Sequence, residues 1–274
     1  MVYSALKREP VDADLLEDQL FVGNTAPANK RVAVVIPAYC ETRLLPATLA
    51  SIPAFVDLII VVDDGSPDKT FEVAGAAARG DARVKIIRMG YNYGVGRAIT
   101  RGYEYALEWG ADVVAVMAAD NQMDPDDLAR VVAPVLAEVA DYAKGNRLAH
   151  PDSAQMPQIR RFGTRLLGKM TGVIGGYAEL DDAQCGYTAI SARALAHIPL
   201  HKLYPRYGYP NDLILRLSEV GARIEQPVVR PVYATEQSGL QIPRVILPIA
   251  GILARGALRR ANNRLRRRPK LLAA

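Results

Sequence analysis

The sequence predicts an α/β fold: a mostly parallel central sheet flanked by helices. Three observations predict it. Four short apolar runs, VAVVIP (32–37), LIIVVDD (58–64), VKIIRM (84–89) and DVVAVM (112–117), recur through the first half of the chain. They are β-branched and lack alternation, the pattern of parallel strands buried on both faces. Helix-length segments separate them, so the βαβα order implies a doubly wound sheet with right-handed crossovers. Finally, the residues able to carry chemistry come directly after each run, where ligands bind in open sheets of this kind.

Residues 1–30 are polar and irregular and read as a leader. The segment Gly94 to Trp109 reads as a helix. A second helix is expected from Asp124 to about residue 137, with Asp124 as N-cap and Pro125 at the first helical position. Its Leu128, Val131, Val132, Val135 and Leu136 share one face, and Pro134 should kink or end it. YAKGN (142–146) reads as a short strand, and residues 147–180 are basic and glycine-rich. AQCGYTAIS (183–191) reads as a strand and Asp212 to Val220 as a helix. RIEQPVVRPVY (223–233) reads as extended, held to a sheet edge by Pro227 and Pro231. The expected organisation is a single folded domain over 31–240 and a basic C-terminal tail over 241–274.

With 274 residues, half of them hydrophobic, the chain can bury a substantial core. Two cysteines, Cys40 and Cys185, make no disulfide framework and read as reduced thiols. The first twenty residues lack the apolar stretch of a signal peptide, and no run reaches the roughly 18–20 apolar residues that span a bilayer. Residues 237–274 hold nine Lys/Arg and no acid, so of the net +5 the rest of the chain carries −4. That tail has no aromatics interleaved with its charge, which argues against nucleic acid and for anionic lipid. Its segment IPRVILPIAGILARGALRR (242–260) has an apolar core of about a dozen residues, suited to lying in a headgroup layer. His150, His197 and His201 have no metal-ligand spacing, which argues against zinc.

The stretch VMAADNQMDP (116–125) admits two readings. Asp120 and Gln122 could offer oxygen ligands to a hard cation, or the stretch could be a strand end running into a capped helix. Mg²⁺ or Mn²⁺ often takes only one or two protein ligands beside substrate phosphates, so one carboxylate and one amide can suffice. Asp124 reads better as the helix cap.

Taken together and in order, VVIPAYCE, VVDDGSPDKT, NYGVGRA, ADNQMDPDDL, KGNR and DAQCGYTAIS resemble the motifs of family 2 glycosyltransferases with the Rossmann-like GT-A fold. Within that family they are most similar to polyprenyl-phosphate sugar transferases of the dolichol-phosphate mannose synthase type. The likeness covers about residues 31–240. It implies that Pro37, Tyr39, Glu41, Asp63, Asp64, Asn92 and Asp120 bind the nucleotide, with Asp64 on the base. It implies that Asp120 and Gln122 hold Mg²⁺ or Mn²⁺, although the family usually has an acid where this chain has Ala118. It places Arg147, Arg161 and Arg230 on the acceptor phosphate, a role that the planar fork of arginine suits. Asp182 falls at the family's acceptor-site acid, and Asp212 is the other candidate catalytic carboxylate.

The function so implied is inverting transfer of a sugar from a UDP- or GDP-sugar to polyprenyl phosphate. The expected location is cytoplasmic, peripheral at the membrane face, with the C-terminal tail in contact. A phosphate monoester is mostly ionised near neutral pH, its second pKa being about 6, so it can attack without a strong base. A hydroxyl acceptor would need one. Two other readings fit the same motifs: transfer to a soluble small molecule or glycan, and binding of a nucleotide sugar without turnover.

Overall fold

The computed structural model describes residues 12–21, 29–232 and 242–265. Parts of the expected leader (1–11, 22–28), the junction of the expected domain and tail (233–241) and the terminal cluster with Arg266, Arg267, Arg268 and Lys270 lie outside the described residues.

Seven strands form one sheet: β1 (Val32–Ala38), β2 (Leu58–Asp63), β3 (Val84–Arg88), β4 (Val113–Val116), β5 (Tyr142–Lys144), β6 (Thr188–Ser191) and β7 (Ile224–Glu225). Their spatial order is β3-β2-β1-β4-β6-β5-β7. The first four pair in parallel, β6 runs antiparallel to both β4 and β5, and β7 is parallel to β5 at the edge. Nine α-helices complete the described fold: α1 (Ala13–Leu20), α2 (Leu45–Ser51), α3 (Thr70–Gly80), α4 (Val95–Trp109), α5 (Asp127–Leu136), α6 (Gln158–Gly175), α7 (Ala192–Ala196), α8 (Tyr209–Val220) and α9 (Ile242–Leu265).

Three of the four apolar runs have both faces covered; the third, β3, is instead an edge strand with Val84 buried, Ile86 and Ile87 half-buried and Lys85 and Arg88 exposed, because no strand or helix covers its outer side fully. Val34, Ile36, Ile59 and Val61 point into one core with Leu45, Leu49, Leu128 and Val132 from α2 and α5. Val35, Ile60 and Val62 point into the other with Ile99 and Tyr103 of α4 and Leu213 of α8. A strand sandwiched this way has no polar face, so alternation is absent from the sequence.

Several expectations are adjusted. Asp124 does not cap α5 directly: its Oδ1 accepts from Asp126 N at 3.1 Å, and the helix starts three residues later. The Pro125–Asp126 step is thus a lead-in turn. Helix α5 ends two residues after Pro134, whose carbonyl accepts from Val139 N and Ala140 N. Only Thr188–Ser191 of 183–191 is strand, and the residues before it form a loop. The leader contains α1, which packs on α5 through Arg130 with Asp14 and Glu17. The glycine-rich stretch after residue 147 contains α6, whose fully buried positions are threonine and glycine, with only Leu167 and Ile174 packed beside them, so it lacks the broad apolar stripe that would mark it in the sequence.

Helix α9 packs on α6 and α8. Its Ile249, Ile252 and Leu253 form a small core with Leu215, while Leu247 and Leu258 face outward. No helix among the described residues is long and apolar enough to cross a membrane.

Candidate active site

The topology gathers every motif at one end of the strands, the carboxyl end of β1 to β5. Strands β1 to β4 are parallel, so the loops after them emerge side by side. Strand β6 is antiparallel, with Thr188 opposite Val116 of β4 and Lys144 of β5. The segment that precedes β6, Asp182 to Tyr187, therefore reaches the same end as the Gly145-Asn146-Arg147 segment just after β5. One reversed strand converts two distant stretches into neighbours.

On the donor side, the loops are stitched to one another. Asp64 N donates to the Ala38 carbonyl at 2.9 Å and Met89 N to the Asp63 carbonyl at 2.9 Å. Cys40, held at a φ of 60°, donates its N–H to Ser66 Oγ at 3.0 Å, and Glu41 N donates to Thr70 Oγ1 at 2.8 Å. Gly65 has a φ of +69°, and a Cβ there would lie 2.6 Å from the Tyr91 backbone, so only glycine lets these loops approach. Asp63 is fully buried: one oxygen accepts from Ser66 N at 3.0 Å, while the other has no hydrogen-bond partner among the described residues and lies 3.7 Å from Arg88 Nε. Asp64 takes Tyr93 N at 2.9 Å and Gly94 N at 2.7 Å, one on each oxygen. Burial raises its carboxyl above the ordinary range against the pull of those two donors. Through these two bonds it fixes the turn after Asn92. Pro37 is half-buried, and Tyr39, Tyr91 and Tyr93 are exposed around these loops.

The end of β4 supplies the candidate metal ligands. Asp120 Oδ1 accepts from Gln122 N at 3.1 Å, closing a turn in which Asn121 has a φ of 57°. Both residues are half-buried. Ala118 N donates to Met123 Sδ at 3.2 Å, and Thr48 Oγ1 donates to the Ala119 carbonyl at 3.1 Å, holding the segment from both sides. One carboxylate and one amide oxygen suit Mg²⁺ or Mn²⁺ chemically. Among the described residues no group of three or more His, Cys, Asp or Glu side chains gathers for a metal, so phosphates and water would complete its shell.

On the side expected to take the acceptor, Asp182 is fully buried and accepts from Arg147 three times, from Nε at 2.8 Å, Nη2 at 3.1 Å and the backbone N at 3.4 Å, and from Gln184 N at 3.2 Å. Burial alone would push its carboxyl up, but the Arg147 charge and hydrogen bonds, the Lys144 charge and the Gln184 N–H outweigh it and hold the pKa below the ordinary range. A chain of amides continues from there: Gln184 Nε2 donates to Asn211 Oδ1 at 2.7 Å, and Asn211 Nδ2 donates to Thr171 Oγ1 of α6 at 2.7 Å.

The three predicted phosphate arginines have separate settings. Arg147 is locked to Asp182, and Arg161 stands in the first turn of α6. Arg230 lies 3.3 Å from Asp152 and 3.8 Å from Asp124, lining a cleft of about 420 Å³ beside Asn121 and Met123. Asp212 is buried in α8. Its Oδ2 accepts from Tyr204 N at 3.1 Å and Arg216 Nε at 3.0 Å, and its Oδ1 from Arg259 Nη2 at 3.3 Å. It ties α8 and α9 to the loop whose Pro205 carbonyl accepts from Arg97 N behind the donor site.

Sequence reasoning missed Lys144. It is fully buried, donates to the Cys185 carbonyl, and its ammonium is pushed down to about 8 by burial. The only signal was a lysine inside a short apolar strand. Because the folded pKa lies below the ordinary value of 10.5, the unfolded chain holds the extra proton between these values, and the Lys144 contribution to stability rises with pH there. Buried tyrosines and Cys185 have raised pKa values and pull the opposite way at alkaline pH. The readout is therefore a difference: relative to Lys144→Met, the wild type should gain up to about 3 kcal/mol from about pH 8 to 10.5. Urea unfolding of both proteins across that range tests it, and parallel curves would refute it.

Comparison with known proteins bears on the family and the fold. Residues 33–195 match the model of Glycosyl transferase family 2. A UDP-N-acetylglucosamine–dolichyl-phosphate N-acetylglucosaminyltransferase of Methanococcus voltae is 29% identical over 225 residues, 77% of this chain and 89% of the relative. An undecaprenyl-phosphate mannosyltransferase of Micrococcus luteus is 32% identical over 209 residues, 72% of this chain and 82% of the relative. In fold, the chain is similar to glucosyl-3-phosphoglycerate synthase from Mycobacterium tuberculosis, crystallised with Mn²⁺, UDP and glucosyl-3-phosphoglycerate, at a TM-score of 0.66 and 18% identity. That likeness covers 92% of this chain and 86% of the neighbour. With the match spanning more than half of its length, the chain belongs to glycosyltransferase family 2 and is a glycosyltransferase of the GT-A fold.

Proposed function

We propose that this enzyme transfers a sugar, with inversion, from a UDP- or GDP-sugar to a polyprenyl phosphate at the cytoplasmic face of a membrane. One observation carries the choice of acceptor: both candidate catalytic carboxylates are already committed. Asp182 is bound by Arg147 and Gln184 N, and Asp212 by two arginines and a backbone N–H. Neither is free to take a proton from a hydroxyl, whereas a phosphate acceptor arrives ionised.

In this reading the donor nucleotide lies over Pro37, Tyr39, Glu41, Asp63, Asp64 and Asn92. Asp120 and Gln122 would hold Mg²⁺ or Mn²⁺, whose positive charge stabilises the nucleoside diphosphate as it departs. Asp182 presents the Arg147 fork to the acceptor phosphate, with Arg161 and Arg230 contributing charge from α6 and the neighbouring cleft. A phosphate oxygen forms its bond to the anomeric carbon from the face opposite the donor. The bond from that carbon to the diphosphate oxygen breaks, and its electron pair leaves with the nucleotide. No proton changes hands, so Asp182 and Asp212 act by positioning. The basic C-terminal tail would keep the enzyme at the membrane where the acceptor resides.

The test is transfer of label from UDP- and GDP-sugars to polyprenyl phosphate, counted in the organic phase. The expected result is label from one donor with Mg²⁺ or Mn²⁺, abolished by chelator. Nucleotide binding without organic-phase label from any donor would overturn the reading.

A further inference from the structure

Helix α6 is built inside out. A surface helix ordinarily turns its large apolar residues toward the core and its small or polar residues toward water. In α6 the buried positions are Thr164, Gly168, Thr171, Gly172 and Gly175. A Cβ on Gly168 would run into the Asp181 carbonyl, so this face is small because the backbone of the acceptor loop presses against it. Leu167 and Ile174 pack at the flank against the small core of Leu215, Ile249, Ile252 and Leu253, but five other large apolar residues face out: Ile159 is 85% exposed, Phe162 71%, Leu166 50%, Met170 46% and Val173 72%. Their spacing of three and four residues aligns them in one stripe about 80° wide, opposite the buried face.

The charge around that stripe has one sign. Helix α6 carries Arg160, Arg161, Arg165 and Lys169 and no acid. Lys169 reaches Asp181 at 3.2 Å, while Arg160 and Arg165 are exposed and make no ion pair among the described residues. A continuous apolar stripe of this size on a soluble surface marks an interaction site. Two copies meeting through it would bring like charges together. A bilayer with anionic headgroups accepts the apolar side chains and neutralises the arginines at once. The helix is also wired to the site, since its Thr171 is the end of the amide chain running through Asn211 and Gln184 toward Asp182.

We infer that the outward face of α6 docks in the headgroup layer of an anionic membrane, setting the acceptor side of the enzyme against the bilayer. This deepens the lipid-phosphate reading and rests on it for its purpose, but its test does not depend on transfer. Full-length protein is floated with vesicles of phosphatidylcholine alone and with added phosphatidylglycerol. Binding is expected with the anionic vesicles and should weaken with salt. The Phe162→Asp/Leu166→Asp double variant should partition roughly tenfold or more weakly. Arg160→Gln/Arg165→Gln should weaken anionic binding by roughly tenfold or more with no effect on neutral vesicles. Circular dichroism melting checks that the variants fold, which their exposure favours. A water-soluble short-chain polyprenyl phosphate separates the two ideas: the double variant should use it at the wild-type rate. Absence of wild-type flotation overturns the docking inference whatever the transfer result. So does unchanged flotation of the double variant, with Leu247→Asp/Leu258→Asp in α9 abolishing it. Lipid-free dimerisation abolished by the α6 substitutions would instead assign the stripe to a second copy of the chain and overturn it as well.

Discussion

Asp182→Asn is expected to weaken the acceptor step far more than the donor step, raising KM for polyprenyl phosphate by about ten- to a hundredfold. The substitution keeps the shape of the side chain and removes the charge that orients Arg147. It also leaves two cations, Arg147 and the buried Lys144, without their shared anion. Removing one partner of a buried pair costs about 3–5 kcal/mol, and with Arg147 partly exposed the low end of that range applies here. A fall in melting temperature should therefore accompany the kinetic change. The split separates positioning from proton transfer. A positioning Asp182 gives a higher acceptor KM with an unaltered pH profile, and a base gives a collapse of kcat with KM held. Steady-state kinetics over a range of pH decide between them, and the second pattern would return weight to a hydroxyl acceptor.

Asp120→Ala should abolish most metal-dependent transfer, by about a hundred- to a thousandfold, because the departing diphosphate loses its electrostatic partner. The carboxylate is half-buried and bonds to the nearby Gln122 N, so the cost in stability should stay within about 1 kcal/mol. The converse substitution is as informative. Ala118→Asp restores an acid two residues before Asp120 and should tighten Mn²⁺ binding by about tenfold, read by calorimetric titration with UDP present. If Asp120→Ala keeps full metal-dependent activity, the metal is held elsewhere. If Ala118→Asp leaves affinity unchanged, that position does not face the ion.

The strands were legible because burial on both faces writes itself as an uninterrupted apolar run, as in LIIVVD. The motif residues were legible because parallel strands deliver their C-terminal loops to a common end of the sheet. Other features left weaker marks. Helix α6 was hidden because its fully buried positions are glycine and threonine and most of its large apolar residues face away from the core, with only Leu167 and Ile174 packed on it. The start of α5 was displaced because Asp124 satisfies a turn N–H before the helix begins. Arg216, four residues after Asp212 on α8, is a partner that helix spacing can show, but the distant partners of Asp64 and Asp212 were not legible. Asp64 bonds to backbone about thirty residues away, and Asp212 to a helix at the far end of the chain. Such pairings depend on tertiary placement and leave no periodic trace.

Helix α9 enters from beyond the last strand, yet its Ile249, Ile252 and Leu253 close the small core around Leu215, and Arg259 reaches both Asp212 and Glu219. This packing bears on fragment design. A polypeptide cut at Leu240 would keep every strand and every motif, but would leave Leu215 facing solvent and Asp212 short of a cation. For expression, crystallisation or the building of chimeras, the working unit runs through residue 265.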